Sequence, residues 1–225
     1  MKVNNKDFST WNMRCLAFDY QPLGYAREIY QPDQSITPIM SSRRQYQPKP
    51  MTFDADFKTV DDAGRFLAEL MSGDYSIVDM DDGYLYRCYL SEIDEISEKQ
   101  GNGYCYTLSI PLSVIQTGTE VSETLEADVP ITVIGHLEAE CIYEITPKQQ
   151  IEEYHIAGYT IKNLQQGVTV YFDGIDKRIY SSAELNKFGD VTFPNNRFPT
   201  LQPGEQIIDF DATADVVLRY YPIYI

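Results

Sequence analysis

Few residues in this chain are of types that do chemistry, and they are scattered. Histidine occurs twice, at His136 and His155, and neither belongs to an HxxxH or HExxH pattern that would set two ligands on one helix face around a metal. Both are expected as surface or strand histidines. Cys15, Cys88, Cys105 and Cys141 form no CxxC pair, so neither half of a zinc site nor a redox dithiol is spelled out. Four isolated buried thiols are expected. The run DMDDG at 79–83 begins like a calcium loop, but its third acidic position is out of register, and Leu90 stands where a bidentate Glu would complete the site. It reads as an acidic turn. Glu138 with Glu140, and Asp209 with Asp211, have the two-residue spacing that puts both carboxylates on one face of a strand, and glycoside hydrolysis uses a pair of carboxylates. In a chain with 34 acidic side chains such pairs arise by chance. There is no GxSxG elbow, phosphate-cradling glycine loop or dinucleotide fingerprint. Enzymatic activity, a bound metal and a cofactor are therefore not expected.

The elements that would position these residues are mostly strands. Residues 7–20, DFSTWNMRCLAFDY, mix aromatic and polar side chains and stop at Gln21-Pro22, as an edge strand would. Residues 21–50 hold five prolines and little apolar periodicity, the pattern of an extended arm or long loop. Within the arm Arg43, Arg44 and Lys49 form a basic cluster, which either lies against a negative neighbouring surface or is simply solvated. Met51, Phe53, Ala55 and Phe57 alternate with polar residues as a strand does. A helix follows: Ala63, Phe66, Leu67, Leu70 and Met71 fall on one face, Asp61 and Asp62 suit its positive N-terminal end, and Gly73 can close it. It is expected to lie as an amphipathic lid on a sheet.

Residues 75–96 read as two strands around Asp81-Asp82-Gly83, and 104–111 as another. The polar, acidic stretch 117–127 lacks periodicity and marks the expected boundary between a domain of residues 1–126 and one of 127–225. Beyond it ITVIG, YTIKNL, VTVYFDG, KRIYS, EQIIDFDA and DVVLRYYPIYI are short β-branched runs, with turn signals at Asp173-Gly174 and Pro203-Gly204. That pattern belongs to an antiparallel sandwich.

Charge narrows the partners. With 34 acidic against 18 basic side chains the 225 residues carry a net charge of −16, which repels phosphate and anionic lipid, so neither nucleic-acid nor membrane binding is expected. An apolar signal region and a run of about 18 apolar residues are both missing, which points to synthesis in a reducing cytoplasm. The 18 tyrosines favour interfaces, since each joins a large apolar ring to a hydroxyl that tolerates water.

The opening DFSTWNMRCLAFDYQP, the proline-containing arm, the helix FLAELMSGDY, and above all GYTIKNLQQGVTVYFDGIDKRIYS, NKFGDVTFPNNRFPTLQPGEQIIDF and VVLRYYPIYI resemble the distal tail protein of siphovirus-type phages, those with long non-contractile tails. The resemblance covers almost the whole chain and is strongest from Gly158 onward. It implies a mainly β fold: an N-terminal split β-barrel with one helix and an extended belt arm at about 21–50, then a C-terminal galectin-like antiparallel β-sandwich. It further implies a structural role in the virion tail, as a homohexameric hub ring between the tail tube protein and the tail-associated tip protein, with receptor-binding proteins as further partners. Pro22, Arg43, Arg44 and Lys49 would then lie at the subunit interface. The acid-rich segment 74–98, with eight acids against the single base Arg87, would line a channel that must not hold DNA, or form a solvated rim. The alternative is a carbohydrate-binding β-sandwich acting in host-surface recognition. Trp11 lies far from the sandwich in sequence, so a sugar site there would have to rely on tyrosines such as Tyr171 or Tyr180.

Overall fold

The computed structural model describes the chain except residues 22–23, 27–28, 31–38, 41–44, 49, 91, 93–95, 99–102, 105 and 195. The fold is mainly β, with one α-helix among the described residues. It divides into two compact units, Met1–Thr117 and Gly118–Tyr224.

The first unit is built on the 12-residue strand Tyr106–Thr117. One side of it pairs with Pro50–Phe57, from Tyr106 opposite Phe57 to Ser113 opposite Pro50, and the other with Leu85–Leu90 and Ser97–Glu98. The sheet runs on through Ser76–Asp79 to the small hairpin of Lys2–Val3 and Lys6–Asp7, and ends on its other flank with Met13–Phe18, the expected edge strand. Tyr106–Thr117 passes through Pro111, where the sequence pattern ends the strand. There it stands opposite Thr52 in the pairing with Pro50–Phe57.

The helix Val60–Leu70 covers the Phe53 face of this sheet. Ala63, Phe66, Leu67 and Leu70 are buried as their spacing requires, and the Phe66 ring meets Trp11 edge-on at 5.2 Å and the Phe57 and Phe53 rings at 5.6 and 5.9 Å. Met71 is exposed and does not extend the buried stripe. The helix ends at that residue, whose N–H donates to the Leu67 carbonyl, so Gly73 is not needed to close it.

The second unit is an antiparallel sandwich. One layer has the order Val121–Leu125, Ala214–Tyr220, Ala139–Pro147, Val170–Asp173, Arg178–Ser181. Against it lie Ile151–Ile156, Tyr159–Leu164 and Val191–Thr192, with the pair Pro130–Val133 and Gly204–Ile207. Cys141, Tyr143 and Ile145 from the first layer, and Tyr154, Ile156 and Ile161 from the second, fill the space between. The sequence reading singles out neither Ala139–Pro147 nor Ile151–Ile156, and it leaves 117–127 without a strand. Val121–Leu125 lies within that stretch and pairs along its whole length with Ala214–Tyr220.

In the arm, Gly24–Ala26 pairs with Gln45–Gln47 and Ile29–Tyr30 with Ile39–Met40, all antiparallel. The described part of the arm is therefore a two-stranded ribbon rather than a loop.

Candidate functional site

The residues with catalytic potential are taken up by structure. Burial raises the Cys88 thiol, and it raises that of Cys141 to about 12, so neither is a thiolate nucleophile at neutral pH. Cys15 is only half-buried, a departure from the buried thiol expected, and burial together with the Asp54 charge still pushes it up. Cys105 lies outside the described residues. The His136 ring stands edge-on to Tyr224 at 5.2 Å, while His155 Nδ1 is 3.1 Å from the Thr160 hydroxyl. Of the carboxylate pairs, Glu138 accepts from the Thr200 hydroxyl, Glu140 from Lys177 Nζ at 2.6 Å, and Asp211 from the His155 backbone N–H at 2.9 Å. Each of those three holds a neighbouring segment in place. Among the described residues no cluster of three His, Cys, Asp or Glu side chains is placed to hold a metal ion, and no helix is long and apolar enough to cross a membrane.

The aromatic residues of the sugar-binding alternative are also engaged. Trp11 is buried in the first unit against Phe66. Tyr171 and Tyr180 are cross-strand partners whose rings stack on one another at 4.9 Å and 14°. Each thereby covers one face that a sugar would stack on.

Two surfaces remain. The first is the arm. Its described backbone pairs only with itself, and an isolated two-stranded ribbon is marginally stable in water unless it packs on something. Pro22, Arg43, Arg44 and Lys49, the expected interface residues, lie outside the described residues. The second is the acidic segment 74–98. Its turn is tightly built: Asp79 Oδ1 accepts from the Asp81 N–H at 2.9 Å, Asp82 Oδ1 from the Tyr84 N–H at 3.1 Å, and Asp81 pairs with the Met1 ammonium. Asp82 also accepts from the Tyr86 hydroxyl, which burial and that carboxylate together push up. Arg87, the segment's one base, is 7% exposed, with its guanidinium 4.8 Å from the Tyr75 ring centre. Asp74, Asp81, Asp82, Glu92 and Glu98 are exposed. What this segment shows to solvent among the described residues is thus acidic, a result that counting charges does not give, because it depends on the base turning inward.

No protein-family model matches the sequence, and no curated protein does. Solved structures do match. The Dit (gp 19.1) protein of phage SPP1, described as a paradigm of the hub adsorption apparatus in Gram-positive infecting phages, superposes with a TM-score of 0.64 over 99% of this chain and 98% of that one, at 10% identity. The chain has the fold of that hub protein. A chain of the phage p2 baseplate, in its activated conformation with Sr, superposes with a TM-score of 0.56 over 95% of this chain and 92% of that one, also at 10% identity. The sequence resemblance to siphovirus-type distal tail proteins and the structural likeness to these two tail-tip proteins point the same way, although only a tenth of the residues coincide. Burial patterns along strands survive such divergence because they restrict each position to a class of side chain rather than to one residue.

Proposed function

We propose that this protein is a structural component of a phage tail tip, a hub forming a homohexameric ring that joins the tail tube to the tip and the host-adsorption apparatus. The observation that carries the reading is the end-to-end match to a hub adsorption protein, which takes in both units and leaves 2% of that chain uncovered. A match to the sandwich alone would fit many unrelated proteins. The self-paired arm supports it, since a ribbon with no sheet of its own gains stability by lying on a neighbouring copy. So does the acidic face of 74–98, which would not retain the phosphates of DNA passing through a ring. In this reading the protein works by geometry and charge, without catalysis, and its place is the virion tail after synthesis in the host cytoplasm. Light scattering after size exclusion, with negative-stain imaging of the same fractions, tests it. Closed six-fold rings are expected. A monomer at every concentration and salt condition would sink the hub reading.

A further inference from the structure

The connection between Arg178–Ser181 and the 3-10 turn Phe188–Asp190 inverts the usual arrangement of a surface loop. Two of its polar side chains, Ser181 and Lys187, point inward. Ser181 Oγ accepts from the Ala183 and Glu184 N–H groups at 3.2 and 2.9 Å, and the Ser181 N–H donates to the Glu184 carbonyl at 2.8 Å. Lys187 folds beneath the loop with 6% exposure, its ammonium between Glu184 at 3.2 Å and Asp190 at 2.9 Å, and its N–H donates to the Ile179 carbonyl at 2.8 Å. Asn163 holds Asp190 from the neighbouring strand at 3.2 Å. Burial alone would lower the Lys187 pKa, but its bonds to Asp190 and Glu184 raise it, so the ammonium stays charged and the clamp stays shut.

The apolar groups point outward. Leu185 is 96% exposed and Phe188 52%, the latter leaning on Phe193 at 5.2 Å and Phe198 at 6.3 Å, two rings that pack on the core residue Phe172. A single exposed leucine is ordinary. A leucine and a phenylalanine three residues apart, held out by a loop whose lysine is buried to fix it, are a different matter. A floppy loop could fold them away, whereas this one is ordered before any partner arrives, which lowers the entropy lost on docking.

We infer that residues 182–190 are a preformed docking knob for another protein, whose face offers an apolar socket with a basic rim. The charge selects this occupant. Residues 118–224 carry seventeen acidic against seven basic side chains, and within 182–190 two carboxylates, Glu184 and Asp190, share the single ammonium of Lys187, so the knob keeps a net negative charge that disfavours an identical knob and an anionic lipid surface as occupants. The inference rests on the tail-tip reading for where the partner is to be found.

The test places a photoreactive leucine analogue at position 185 of the full-length chain in phage particles, with the same group at exposed Gln166 as control, after mass spectrometry has established that the chain is in the particle. Illumination is expected to join position 185, but not 166, to a different protein at a peptide rich in Lys and Arg. In particles that contain the chain, no adduct from 185, or an adduct only to another copy of the same chain, overturns the knob and leaves the tail-tip reading standing. Absence of the chain from the particles overturns both. A second arm mixes the purified chain with phosphatidylcholine vesicles: flotation that Leu185→Asp abolishes would mean the knob meets lipid, and would also overturn the inference.

Discussion

Asp62 ties three parts of the first unit together. It is nearly buried, yet it accepts from the Thr59 hydroxyl at 2.7 Å, from Asn12 Nδ2 at 3.1 Å and from the Arg65 guanidinium, while Thr59 Oγ1 caps the Asp62 N–H at 3.1 Å. Burial pushes its carboxyl up, but the bonds from Thr59, Asn12 and Arg65 together hold it below its ordinary value of 3.8. A depressed folded-state pKa contributes stability that is present above the unfolded value and is lost as pH falls through the folded one. Asp62→Asn is therefore expected to cost about 2 kcal/mol near pH 7 and much less in acid well below pH 3.8, read as a gap between melting temperatures that closes on acidification. An equal gap at both pH values would mean the residue matters for shape rather than charge. Part of this was legible: the sequence places Asp62 at the positive end of a helix. The bond from Asn12 was not, since it joins residues fifty apart. Gly174 is a second residue-scale case. Its place after Asp173 marks a turn, but the reason for glycine is packing, because a Cβ there would meet the Pro199 and Cys141 carbonyl oxygens at 2.5 and 2.6 Å. Both are backbone atoms that cannot swing aside. Gly174→Ala is expected to destabilise the second unit by about 3 kcal/mol in denaturant titration, and a loss below about 0.5 kcal/mol would show that the backbone gives way.

Among the elements, the strand Val121–Leu125 decides where the second unit begins. It pairs with Ala214–Tyr220 from Val216 to Tyr220, on the side away from Ala139–Pro147, and buries Leu125 in the sandwich core. A fragment starting at 127 would leave the hydrogen-bonding edge of a strand carrying Val216, Leu218 and Tyr220 bare, which invites aggregation. Residues 118–225 expressed alone are thus expected to give a well-dispersed amide spectrum, and 127–225 a poorly dispersed or aggregating one; equal dispersion from both would show the edge strand to be dispensable. The element was hard to read because it pairs on one side only, and Ser122, Glu123 and Thr124 are all exposed, so no alternation survives. Ala139–Pro147 escaped for another reason. Its burial alternates strictly, but Ala139 and Cys141 carry little hydrophobic weight, and its carboxylates draw the eye toward chemistry instead. In Ile151–Ile156 the adjacent Glu152 and Glu153 break the period. The helix was legible because Phe66, Leu67 and Leu70 are large and correctly spaced, while exposed Met71 shows that apolar type at the right interval still does not guarantee burial at a helix end.

At the scale of the whole molecule, a chain with a net charge of −16 must hold copies of itself together against their mutual repulsion if it forms a ring. On the proposed hub reading, the arm is the means. Arg43, Arg44 and Lys49 gather three of the eighteen basic side chains into seven residues. Exposed carboxylates outside 74–98, such as Asp7 and Asp19, are complementary charge available on a neighbouring copy. The same contact repeated head to tail closes when the rotation permits, so weakening one arm contact weakens every interface of a ring at once. Replacing Arg43 and Arg44 by Glu changes the charge of each chain by four units at the proposed point of contact. It is expected to shift the light-scattering mass from ring to monomer at low salt, with partial recovery as salt screens the new repulsion. The melting temperature of the separated monomer should move little, by the equivalent of about 0.5 kcal/mol or less, if the arm's charges serve assembly rather than folding. Rings of unchanged mass and salt stability would remove the arm's charge from the assembly mechanism. A collapsed melting temperature would show instead that the arm folds as part of the first unit.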